Sequence, residues 1–229
     1  PPRGPAGGLM PARGSIPRVP VHPEARGLPL LGVARGDRRR GGLWDAPTAA
    51  LYEAEVVRFR DLAALVYPAR LREESVRPED VVAHHRRLDA MLQRETVVPA
   101  PFGIGFEEER DVARFLREQH DELVDALGFV EGRWEFRLHI VPATADLPEA
   151  LAQDLATHVY AELRRSAHAA LPFPRAEPGA FSAAFLVDRV ATRGFLEKVE
   201  ELDRAHVDLT LDATGPWPAY DFVRVRLED

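Results

Sequence analysis

The chain has 229 residues, 45% hydrophobic and 29% charged, enough apolar material for one large domain or two small ones. A formal charge of -7 argues against general nucleic-acid binding, and the lack of cysteine excludes a disulfide, a thiolate nucleophile and an iron–sulfur centre. No run approaches the about eighteen apolar residues of a membrane span, and the N-terminus lacks the apolar stretch of a secretory signal. A cytoplasmic protein is expected.

Residues 1–48 are rich in proline and glycine, with Arg38, Arg39 and Arg40 clustered. They read as a mostly irregular segment in which Leu28, Leu30, Leu31 and Val33 form one short strand. Tyr52 to Phe59 alternates as a second strand. Asp61 is placed to cap a short segment holding Leu62, Leu65 and Val66, ended by Pro68. Pro78 opens a strong helix whose stripe is Val81, His85, Leu88 and Leu92.

Val97 to Glu107, VVPAPFGIGFE, follows as the stretch around which the rest is organised. Pro99 and Pro101 withhold backbone donors, so a strand here must end, bend or lie at an edge. Phe102, Ile104 and Phe106 alternate with Gly103 and Gly105, and the bare glycine face indicates a close backbone approach or a bend. A helix is then expected over roughly 107–127, with Val112, Phe115, Leu116, Leu123 and Leu127 inward and Gly128 as its stop. Trp134, Phe136, Leu138 and Ile140 alternate with Glu135, Arg137 and His139, a strand with one buried and one wet face.

After a boundary near 141–146, Pro148 opens a helix with the stripe Leu151, Leu155, Val159 and Leu163. Phe181 to Val187 reads as a strand, and Asp188 is placed to cap a helix carrying Phe195, Val199 and Leu202. Val207, Leu209 and Leu211 form a further strand. GPWPAYDFV, Gly215 to Val223, closes the pattern, with Tyr220 and Phe222 resuming a strand. The rhythm of helix, strand, helix and strand occurs twice. It points to an α+β protein of two small units, 49–141 and 142–229.

Catalytic patterns are weak. His84 and His85 are adjacent and point about 100° apart on a helix, so they do not share a metal easily. His85 and Asp89 are four apart and can meet, yet His85 also lies on the inward stripe. A pocket near His84, His85 and Asp89 is the alternative under which the protein is an enzyme. The chain has no H-E-x-x-H, dinucleotide fingerprint, phosphate loop or nucleophile elbow. No catalytic, metal or cofactor residues are assigned. Two stiffened aromatic segments remain, VVPAPFGIGF and GPWPAYDFV, which suit either core packing or docking of a protein at low entropic cost. The protein-contact candidates are Pro99, Phe102, Gly103, Phe106, Trp217, Tyr220 and Phe222.

HHRRLDAMLQRETVVPAPFGIGFEEE from His84 to Glu109, AAFLVDR from Ala183 to Arg189, and GPWPAYDFV together resemble the GvpF/GvpL family of gas-vesicle proteins. The family's PxxFG and GPWPPYSFV-like patterns fall on Pro99 to Gly103 and Gly215 to Val223. Ala219 and Asp221 stand where proline and serine are commonest, and Pro101 replaces a residue that is often basic. Residues 1–48 match the family's opening strand and loop poorly, and the chain ends soon after the last motif. The resemblance implies a ferredoxin-like first domain and a second of related plan. It also implies a non-enzymatic assembly factor that binds the hydrophobic shell protein and other accessory proteins. A minor structural component of the mature vesicle is the other role it allows.

Overall fold

The computed structural model describes residues 26–36, 53–70, 77–174 and 179–223. Ten strands and five α-helices are described. They run β1 (Arg26–Arg35), β2 (Glu55–Phe59), β3 (Leu62–Val66), β4 (Ala69–Arg70), α1 (Pro78–Leu92), β5 (Val97–Pro99) and β6 (Gly105–Phe106). Then come α2 (Glu109–Glu118), α3 (His120–Val130), β7 (Arg133–Pro142), α4 (Glu149–Arg164), β8 (Ala169–Pro172) and β9 (Phe181–Asp188). A 3-10 turn (Arg189–Ala191), α5 (Thr192–Ala205) and β10 (Leu209–Trp217) complete the order.

The short strand expected at Leu28–Val33 is ten residues long and lies at the centre of the first sheet. β3 pairs with one flank of β1, and β5 and β6 pair with β1 as well. β4 keeps the register of β3 against β1. A bulge between Leu30 and Gly32 switches the facing parity, so Leu30 and Val33 share one core while Leu31 and Ala34 enter the other. Helices α2 and α3 cover the first face with Val112, Phe115, Leu116, Leu123, Leu127 and Val130. Helix α1 covers the second with Leu88, Met91 and Leu92.

This two-sided cover explains a correction. Leu62–Val66 is a strand with all five residues buried, not a short helical segment capped by Asp61. A continuous apolar run reads alike for a buried strand and a buried helix turn. Asp61 instead sits in the β2–β3 turn, where His120 lies between the Asp61 and Asp121 carboxylates at 2.7 and 2.8 Å. That contact ties the hairpin to the break at Gln119, which divides the expected single helix into α2 and α3. Gly128 is passed through, and the chain turns at Gly132, φ +69°, into β7.

The Phe102–Phe106 alternation is a turn at Phe102 and Gly103 that leads into the two-residue strand β6, not one continuous strand. The Ile104 N–H donates to the Pro101 carbonyl, and Gly103 takes a φ of +98°. The close approach inferred from the bare glycines is present: a Cβ at Gly105 would lie 3.1 Å from the Leu28 carbonyl oxygen. On α1 the expected Leu88 and Leu92 are buried together with Met91, while the buried histidine is His84 and His85 lies at the edge of the stripe. On α4 the stripe begins with Ala152 and Ala156 and leaves Leu151 exposed.

In the second unit the strands lie in the order β10-β7-β9-β8, each pair antiparallel. Phe136, Leu138, Ile140, Val159, Leu163 and Phe185 fill the space between this sheet and α4 and α5. In both sheets the first strand is central, its neighbours being the strand before the intervening helix and a strand after that helix. The expected wet face of β7 is corrected: Glu135 is wholly buried. Leu186 from that face joins the first unit's core, together with Ala219 and Val223. Tyr220 and Phe222 lie in the turn after β10 and do not resume a strand.

Candidate functional site

The three segments singled out in the sequence converge on one narrow crevice between the two units. Its wall includes Thr96 and Val97 at the start of VVPAPFG, Arg189 at the end of AAFLVDR, and Trp217 and Pro218 of GPWPAYDFV. Trp134 at the start of β7 completes it. The Arg189 guanidinium lies 4.0 Å from the centre of the Trp134 ring and donates to the Leu92 carbonyl at 2.8 Å. It thus joins the second unit to the C-terminal end of α1, where a cation is favoured by the helix dipole. Burial draws Arg189 down from the ordinary arginine range. Asp188 does not cap through its side chain; its carboxylate is 3.0 Å from Arg133.

The contact candidates occupy unlike environments. Pro99, Phe102, Gly103 and Phe106 are buried within the first unit. Phe102 meets His84 edge-on at 5.5 Å, and Phe106 packs on Phe115 at 5.3 Å. Phe222 is partly buried against the first core. The Tyr220 hydroxyl donates to His85 Nδ1 at 3.1 Å, burial holding the phenol protonated and the imidazole neutral. Trp217 is 40% exposed, with its indole N–H donating to Thr214 Oγ1 at 3.1 Å. Of the seven, it presents the ring most open to a partner.

His84, His85 and Asp89 do come near one another, but His84 is fully enclosed. Its Nε2 donates to the Ala100 carbonyl at 2.9 Å, which ties α1 to the loop after β5. Among the described residues no group of three or more His, Cys, Asp or Glu side chains is set to hold a metal. Burial lowers His84 from 6.5 to about 4. As pH falls below 6.5 the unfolded chain accepts a proton that the folded imidazole refuses until about 4. The stability present at neutral pH is therefore lost through that window, by roughly 3 kcal/mol in all. Urea unfolding at several pH values should show this slope, flattened in His84→Gln, which keeps a donor for Ala100. Equal slopes in the two proteins would refute it.

Four side chains that tie these segments together are not marked as such by the sequence. Glu135 and Arg137 were placed on a wet face, and Arg189 closed a motif without a role. Asp221 carried a signal, because a carboxylate stands there where serine is commonest.

A family model described as gas vesicle synthesis protein GvpL/GvpF matches residues 50–154 and 147–224. The chain belongs to this GvpL/GvpF family. Gas vesicle protein F1 of Halobacterium salinarum is 27% identical over 183 residues, covering 78% of this chain and 85% of that protein. Gas vesicle protein F of Haloferax mediterranei is 26% identical over 183 residues, covering 75% and 82%. The fold resembles the crystal structure of GvpF from an Anabaena species, with a TM-score of 0.71 at 16% identity over 90% of this chain and 99% of that one. GvpF from Microcystis aeruginosa gives 0.68 at 15% identity over 88% and 99%. Membership gives this GvpL/GvpF chain a role connected with gas-vesicle assembly. No helix among its described residues is long and apolar enough to cross a membrane.

Proposed function

We propose that this chain is a non-enzymatic assembly factor that escorts the hydrophobic gas-vesicle shell protein and meets other accessory proteins in the cytoplasm. Family membership supports the process, and the exposure of Trp217 supports the surface. The other aromatic candidates are turned inward, so the rigid GPWP backbone holds one large ring outward beside the crevice. A shell subunit with broad apolar faces aggregates unless part of that surface is covered, and the cover must come off again during growth. Binding of moderate strength meets both demands.

The finer reading of the fold is that the unit built on β1–β6 with α1–α3 is ferredoxin-like and the unit built on β7–β10 with α4 and α5 follows a related plan. The common strand order, first strand central beside the third major strand, supports it.

Co-expression of the shell protein with wild type or Trp217→Ala, followed by capture on the tagged assembly factor, tests the contact. Wild type should retain the shell protein, and the folded variant should retain at least tenfold less, roughly as expected for an exposed aromatic anchor. Circular dichroism checks the fold of the variant. No retention by wild type overturns shell binding; equal retention overturns the choice of surface.

A further inference from the structure

Among the described residues Glu135 is the only acid with no exposed surface. The GPWPAYDFV segment reaches it in three ways. Trp217 is its partner in the β10–β7 ladder, a Cβ at Gly215 would stand 2.9 Å from its carbonyl oxygen, and the Asp221 N–H donates to its Oε2 at 2.9 Å. Arg137 Nε donates both to Glu135 Oε1 at 2.9 Å and to Asp221 Oδ2 at 2.8 Å. Two carboxyls therefore share one guanidinium. If both were ionised, one guanidinium would face two negative charges, one of them on the fully buried Glu135 and the other on Asp221 at 23% exposure.

We propose that Glu135, Arg137 and Asp221 are positioning residues for Trp217, latching the turn after β10 onto β7 through the Arg137 bridge between the two carboxyls, with the buried Glu135 keeping its proton. The consequence for shell-protein docking rests on the function proposed above; the latch itself does not.

Burial first, and then the hydrogen bond and charge of Asp221, raise Glu135 above the ordinary carboxylate range, with Arg137 opposing. The folded latch binds a proton that the unfolded chain has already lost. Its stabilisation is complete below the ordinary carboxyl value of 4.5 and is lost as pH rises from there through the loss of the Glu135 proton at about 8. The other groups facing the cluster are Tyr220, His85 and Asp89. Burial holds the Tyr220 phenol above its usual range, lowers His85, and raises Asp89 from the acid end, where His85 opposes the rise. The alkaline side of neutrality is thus left to Glu135.

The full chain labelled with 5-fluorotryptophan gives three tryptophan signals, and Trp217→Phe assigns one of them. Fluorine NMR between about pH 6 and 10 should show the Trp217 signal shifting in one single-proton step. The step should vanish in Glu135→Gln, whose amide can keep the hydrogen bonds to Arg137 and Asp221. In Asp221→Asn, which leaves Arg137 one carboxylate, it should move to the acid side. A flat Trp217 signal in the wild type, or the same step in both variants, overturns the latch. Because no shell protein is present, this result stands or falls apart from the capture experiment.

Discussion

Gly32→Val should lower the stability of the protein by about 3 kcal/mol at neutral pH, the upper part of the range for overfilling a packed core. Gly32 lies in β1 between β3 and β5, at the bulge that switches the facing of the strand. Even the first carbon of a side chain there would stand 2.6 Å from Val97 Cγ1 and 2.6 Å from the Val98 carbonyl oxygen. The Val97 methyl can turn aside. The carbonyl cannot move without drawing β5 from its ladder, and β5 leads straight to the Ala100 carbonyl that accepts from His84. Loss of ladder hydrogen bonds, a bare His84 donor and strain in the first sheet therefore come together. Urea unfolding followed by circular dichroism measures the effect, and a loss below about 1 kcal/mol would show that the sheet yields more easily than the spacing implies.

Phe136→Ala should cost about 4 kcal/mol, by emptying the middle of the second core. Phe136 is 2% exposed and packs on Phe195, ring centres 5.6 Å apart. Its ring also stands 2.9 Å from where a Cβ on Gly215 would be, so it supports the chain just before Trp217. On the β9 side Phe136 is held in register opposite Phe185, which limits collapse into the space, while β10 bulges beside it between Thr214 and Trp217. A cooperative melt at lower temperature is expected, together with sharper loss of shell-protein retention than the same loss of stability produces elsewhere. A melting temperature within a few degrees of wild type would place the centre of that core elsewhere.

Much of the fold was legible where one face is dry and the other wet. The inward set Phe136, Leu138 and Ile140 and the spacing of Phe195, Val199 and Leu202 stand out because polar residues mark the opposite side of each element. Contrast failed where both sides are covered. Leu62–Val66 lies between two helical layers, and Glu135 lies under the final motif, so neither carries a polar or apolar mark of its position. FGIGF misled for another reason: two glycines let the chain turn back at Gly103 while leaving the period of a strand in the text. Trp217 was named, but the side chains that seat it come from β7, over eighty residues away in sequence, and tertiary pairing at that range leaves no local pattern.

The central position of β1 bears on how the chain is made. It is the earliest described element to leave the ribosome, yet Leu28 and Pro29 must wait for Phe106 and Gly105, roughly eighty residues of further synthesis. Until then one flank of an apolar strand lacks the partner it has in the finished sheet. Such an edge recruits other chains as readily as its own. Pauses in translation before β5 and β6 have emerged from the ribosome would therefore lower the yield of soluble protein, whereas pauses after both have emerged would find these partners of β1 in place.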